Sequence, residues 1–333
     1  MKFVTRLLPL LTVAALSAGN SSTFAAGGQT TITRTGYHGW PDSYVLSNGK
    51  VEVIVVPAVG RVMQFRFAGE EEGPFWENRS LDGKAPDPKS SEWGNFGGDK
   101  TWPSPQGEWG KVADRGWPPP PAFDSMPVNA NTYLNRHGQG LILTSAVDPF
   151  FGIATERRIE LVPGKSQMTI STTYRKIEGA PKKVGVWIIT QLKDPVAVFA
   201  PLQKRSYYSN GFNKQSDVLP LDLKIDGSLL SCKRDPKHST KIGTDAGTLL
   251  WVGEKHVLRI DSARSPGAEY PDEGSSAEIY TNLDPNAYVE LELLGPLHTM
   301  KVGEAIYQRS TYTLLHRTKS DPNSEAKSVL RRY

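Results

Sequence analysis

One cysteine, Cys232, stands in 333 residues. No intrachain disulfide can form, and zinc or iron–sulfur centres built from several thiolates of one chain are excluded. Cys232 itself reads as a small packed residue. The glycine loop that cradles phosphate is missing, as are a strand–GxGxxG–helix unit, a GxSxG elbow and HExxH. No cofactor is expected on that ground. The six histidines are His38, His137, His238, His256, His298 and His316. No two sit at the i, i+4 spacing that puts two imidazoles on one helical face, so each reads as a surface or packing residue and no metal is expected. Lysine and arginine form no basic block longer than a pair such as Lys182-Lys183 or Arg331-Arg332, and the formal net charge is only +4. A nucleic-acid partner is therefore not expected.

Long apolar runs are equally scarce. The one at the start, Leu7 to Ala18, follows Lys2 and Arg6 and is too short to span a bilayer. Small residues follow, with Ala25 or Ala26 as a cleavage point. Residues 1–26 therefore read as a secretory signal peptide, and the mature chain as a periplasmic or secreted protein with no membrane span. Hydrophobic residues make up 38% of the chain and charged residues 22%, enough to bury a core.

Helical periodicity is not sustained over any dozen residues, with the polar tail after Thr318 as a mild exception, and strand signals take its place. Lys50–Pro57 follows the turn pair Asn48-Gly49, with Ser43–Leu46 before it, which predicts a hairpin. Further strands are predicted at Arg61–Phe67, Gly140–Ala146, Ala154–Leu161, Gln167–Arg175, Lys183–Gln191, Thr248–Val252, Val257–Asp261, Ala277–Thr281, Tyr288–Leu294 and Ala305–Leu315. Many strands at short spacing imply an all-β sandwich or barrel. One domain over residues 30–318 is expected, with residues 319–333 as a loose polar tail.

Residues 73–127 break the pattern. They are dense in Gly, Pro and Trp, include Trp76, Trp93, Trp102, Trp109 and Trp117, and show no strand signal. Disordered segments are poor in aromatics, so an ordered insertion covering one side of a sheet is expected. Its centre offers Asp99, Lys100, Trp102 and Gln106 on glycine-permitted loops. Sugars present C–H faces to aromatic rings and hydroxyls to Asp, Lys and Gln, so this segment suits a carbohydrate ligand. It equally suits a loop pinned down by tryptophan packing.

In Tyr288–Leu294, alternation puts Val289, Leu291 and Leu293 on one face and Glu290 and Glu292 on the other. Two carboxylates about 7 Å apart can share acid–base work or bind hydroxyls. The same pattern also describes a solvated outer face.

The run Ala277 to Asn282, then Tyr288 to Pro296, Val302-Gly303-Glu304 and Tyr312-Thr313-Leu314, resembles the C-terminal part of aldose 1-epimerases. The pattern Gly97-Gly98-Asp99-Lys100-Thr101-Trp102-Pro103 with Gln106 is similar to that of an uncharacterised bacterial domain family in the galactose mutarotase-like superfamily. The resemblance runs from about Tyr37 to Leu315. It implies an antiparallel β-supersandwich with a sugar site on a concave sheet face. It puts the epimerase's glutamate base on Glu292, with Glu290 as the alternative one pleat away. The epimerase's histidine acid falls on Trp187, followed by Gln191 in the same motif. Indole cannot donate and accept protons as imidazole does. A carbohydrate-binding protein is the expectation. The alternatives are a carbohydrate-active enzyme with Glu292 as base, its acid supplied by His137 or Lys100, and a surface scaffold without turnover. Oligomeric state is left open.

Overall fold

The computed structural model describes residues 28–113 and 115–332, and the expected leader at 1–26 lies outside them. Among the described residues the strands form an 11-stranded and a 10-stranded antiparallel sheet. The first runs Thr31–Tyr37, Trp40–Ser47, Val51–Val56, Arg61–Phe67, Asp99–Ser104, Lys182–Lys193, Tyr288–Leu294, Ala277–Thr281, Thr240–Thr244 and Asn213–Lys214. The short strand His298–Met300 pairs beside Lys182–Lys193. The second runs Leu221–Asp226, Leu229–Lys233, Ala197–Pro201, Thr248–Val252, His256–Asp261, Ala305–His316, Gln167–Lys176, Ile153–Leu161, Gly138–Thr144 and Asn129–Asn135. Every strand predicted from the sequence coincides with one of these, although Lys50–Pro57 and Gly140–Ala146 overrun the observed Val51–Val56 and Gly138–Thr144 by one or two residues.

The sheets stack face to face because β-branched and leucine side chains recur at alternate positions. Leu291, Leu293, Ile279 and Ile188 meet Ile170, Leu258, Ile260, Tyr312 and Leu314 in one buried core. Tyr174 reaches across it. Its hydroxyl donates to the Trp102 carbonyl at 2.8 Å and lies 2.6 Å from the Thr101 hydroxyl.

Other strands, among them Thr31–Tyr37, Asn129–Asn135, Ala197–Pro201, Leu221–Asp226, Leu229–Lys233 and Thr240–Thr244, lie outside the predicted set, and two segments contradict a stated expectation. Inside the tryptophan-rich insertion, Asp99–Ser104 is a strand, paired with Lys182–Lys193 along its whole length. Gly97 and Gly98 admit it: both take positive φ, and a Cβ on either would fall within 2.4–2.5 Å of a neighbouring carbonyl oxygen, Trp76 O or Val62 O. The polar tail is not loose either. Pro322–Arg332 is an α-helix whose Ala326 and Val329 pack on Phe199, Leu250, Val252 and Val257, on the outer side of the second sheet. The helix starts as chemistry dictates. The Asp321 carboxylate accepts from the Ser324 N–H at 2.8 Å, and Pro322 occupies the first turn.

Candidate functional site

Residues directly opposite in an antiparallel pair share a face. Across the first sheet one row reads Lys100, Ile189, Glu292, Glu278, Gly243. Two residues along, on the same face, lie the rows Trp102, Trp187, Leu294 and Gln191, Glu290, Tyr280, Lys241. Lys100, Trp102, Trp187, Gln191, Glu290 and Glu292 thus stand together on the face turned away from the second sheet. Gln106 reaches the same side from a short helical turn after the strand.

Asp99 does not join them, which corrects the expected ligand role. It occupies the intervening row with Thr190, Leu291 and Ile279 and points into the inter-sheet core. There, fully buried, it pairs with Arg157 from the second sheet and accepts from the Thr190 hydroxyl at 2.7 Å and the Tyr312 hydroxyl at 2.6 Å. Trp102 also departs from expectation. Its ring is 2% exposed, and its indole N–H donates to Asp124 at 2.9 Å. Asp124 further accepts from Arg61 at 2.9 Å and Trp93 at 3.2 Å. Around Trp102 lie Trp93, Trp109, Trp117 and Trp187, with ring centroids 5.3–6.4 Å away. The insertion therefore builds an aromatic cap over half of this face, and most of its tryptophans are consumed in packing.

The centre of the face is a charged cluster. Lys241 Nζ lies 2.7 Å from Glu278 and 3.0 Å from Glu292 Oε2, and the same Glu292 oxygen accepts the Trp187 indole N–H at 2.7 Å. The Lys241 ammonium sits 4.7 Å from the Trp187 ring centroid. Gln215 donates to the other Glu278 oxygen at 2.7 Å. Gly243 makes that approach possible, since a Cβ there would meet Gln215 Nε2 at 2.4 Å and Ser275 Oγ at 2.0 Å. Burial pushes the Glu292 carboxyl well above the usual carboxylate range against the pull of Lys241, and Glu278 and Glu290 push it the same way. Burial acts to lower the Lys241 ammonium, but Glu278 and Glu292 outweigh it and hold the group above its ordinary value. A second pair sits alongside, with Lys100 Nζ 3.4 Å from Glu290 and over the rings of Trp102 and Trp93. Burial lowers the Lys100 ammonium, with Glu290 opposing.

Over Lys241 opens a polar cavity of about 640 Å³, lined by Gln106, Asn213, Lys214, Gln215, Lys241, Asp272, Glu273 and the glycines Gly107, Gly110 and Gly116. Glu292 is not part of its wall. At 1% exposure it lies behind Lys241, whose own side chain is 19% exposed. Asp272 and Glu273 hold φ of 50° and 60°, strained values for L residues that turn both toward the cavity rim. Burial, then the charge of Glu278, raises the Asp272 carboxyl to about 6. The sequence reading missed Lys241, Gln215, Glu278 and Asp272. Glu278 lies within the epimerase-like run already singled out. Lys241 comes from the short strand Thr240–Thr244 and Gln215 directly follows the two-residue edge strand Asn213–Lys214, segments too short to show a hydrophobic pattern.

The profile of the family described as Domain of unknown function (DUF4380) matches residues 42–315. The chain belongs to this family. No curated protein matches it. Solved structures share the fold. A candidate aldose 1-epimerase from Klebsiella pneumoniae superposes with a TM-score of 0.57 at 11% identity, over 91% of this chain and 86% of that one. A galactose mutarotase-like protein from Lactobacillus casei gives 0.52 at 8%, over 82% and 100%. A TPR-domain containing protein from Parabacteroides distasonis gives 0.57 at 12%, over 85% of this chain. The chain spans about half the length of that last protein, 48%. This DUF4380 chain thus has the galactose mutarotase-like sandwich, and these likenesses carry the fold alone.

Proposed function

We propose that this DUF4380 protein is an exported carbohydrate-binding protein that holds a sugar in the cavity over Lys241. The cavity carries the reading. Its volume of about 640 Å³ lies in the range that takes small ligands, and amide, ammonium and carboxylate groups line it. Such groups pair with hydroxyls in both donor and acceptor roles. The export half rests on the basic, apolar and small-residue order of residues 1–26. Binding is favoured over turnover by the state of Glu292. Its buried oxygen is already held by Trp187 and Lys241, and Trp187 can only donate.

One observation favours turnover as a second reading. Asp272, Glu278, Lys241 and Glu292 form a continuous chain of charges from cavity wall to sheet, with two carboxyls raised. Raised carboxyls are what general acid–base catalysis on a sugar needs. A glycan array followed by calorimetry separates the two. Binding of at least one sugar is expected, weakened about tenfold or more by the double change Gln106→Ala and Asn213→Ala with unchanged melting temperature. A panel without any binder sinks the proposal. Anomer exchange by NMR that outruns buffer and disappears in Glu292→Gln establishes the second reading instead.

A further inference from the structure

Away from the cavity, three side chains that are remote in sequence converge where the two sheets meet. His256 opens the strand His256–Asp261 and His316 closes Ala305–His316, and the two are direct register partners. Their side chains therefore leave the same face, with Cβ atoms about 5 Å apart. Glu70 comes from the other sheet, on the turn after Arg61–Phe67, where its N–H donates to the Phe67 carbonyl at 3.1 Å. Its carboxylate lies 3.2 Å from His256 Nε2. Phe67 stacks flat on the His316 ring, with centroids 3.9 Å apart and planes 12° apart, which orients that imidazole toward the group. One donor atom from each of the three residues lies within 4.8 Å of the others.

These distances suit a metal. Bonds of about 2.0–2.1 Å in tetrahedral directions put two ligand atoms about 3.3 Å apart. Glu70 and His256 already stand at that spacing, and His316, exposed at a strand end, has to close by at most about 1.5 Å. Two neutral imidazoles and one carboxylate are a donor set for zinc-class ions and a poor one for calcium or magnesium, which take oxygen ligands. We propose that Glu70, His256 and His316 bind one divalent transition-metal ion of the zinc class, with a fourth coordination position open to water. Because Glu70 belongs to one sheet and both histidines to the other, the ion ties the sheets together. A His–carboxylate pair alone would need only Glu70 and His256, so dependence on His316 is the discriminating feature.

The test uses the untagged full chain, stripped with chelator and titrated with zinc chloride by calorimetry, with melting temperature followed in zinc and in magnesium. One zinc ion per chain is expected, with micromolar or tighter affinity and a melting temperature raised by zinc and not by magnesium. His316→Ala, at an exposed position, and Glu70→Gln should each weaken zinc about tenfold or more while the metal-free proteins melt as the parent does. Absence of stoichiometric binding overturns the proposal. So does zinc affinity unchanged in His316→Ala, or lost instead in Glu292→Gln, which would place the ion in the cavity cluster.

Discussion

Asp272 carries the clearest tension at the scale of the residue. Its carboxyl is raised from 3.8 to about 6 by burial and by Glu278, in a backbone conformation that L residues avoid. The folded state therefore binds a proton more tightly than the unfolded state does. Stability from this group is present below pH 4 and falls as pH rises toward 6, because the unfolded chain ionises first. Asp272→Asn removes that cost. It should stabilise the protein at pH 7 by up to about 3 kcal/mol, with the gain vanishing below pH 4, as read by urea denaturation across pH. The same change should weaken sugar binding if the cavity is the ligand site. An equal gain at both pH values would mean the carboxylate is not the source. The parity of Glu290 and Glu292 was legible from alternation alone. That of Asp99 and Lys100 was not, because a segment taken for loop puts no constraint on adjacent side chains, whereas a strand sends them to opposite faces.

At the scale of the element, the C-terminal helix is the informative case. Asp321 and Pro322 at its start, Glu325 in the first turn, and Arg331 and Arg332 in the last turn are all signals readable in the sequence. Their shortness hid them, since 11 residues with few apolar positions show little periodicity. Packing completes the helix. Glu325 is buried and accepts from the backbone N–H groups of Thr318 and Lys319 at 3.1 and 2.6 Å, so it fastens the entering chain. Val329→Asp places a charge against Phe199, Leu250 and Val252 and should cost about 2–4 kcal/mol by urea denaturation. Truncation after residue 320 should lower the melting temperature and raise binding of a hydrophobic dye. A truncated chain that melts like the parent would show the helix to be a passive appendage.

Across the whole molecule, apolar packing joins the two sheets, helped by the Tyr174 hydroxyl on Trp102 and Thr101 and by a buried polar knot of Asp99, Arg157, Thr190 and Tyr312. A buried charge left without its partner costs about 3–5 kcal/mol. Asp99→Ala should therefore destabilise by about that amount, and adding Arg157→Met should restore part of the loss. Sugar affinity of the folded fraction should stay as in the parent, since Asp99 faces away from the cavity. An affinity loss larger than the loss of folded protein would return Asp99 to the site.

Strand positions, the sandwich class and the pleat that pairs Glu290 with Glu292 were written locally, because alternation and turn chemistry act over a few residues. The assembly of charged groups was not. Lys241 meets Glu292, and His256 meets His316, only once strands some fifty or sixty residues apart take their register. That register is set by burial of the opposite, apolar faces. The sequence alone determined which face each carboxylate takes on its own strand. Tertiary structure decided what stands opposite, turning Asp99 into a bolt between the sheets and Trp102 into a packed ring, and raising Lys241 as the floor of the cavity.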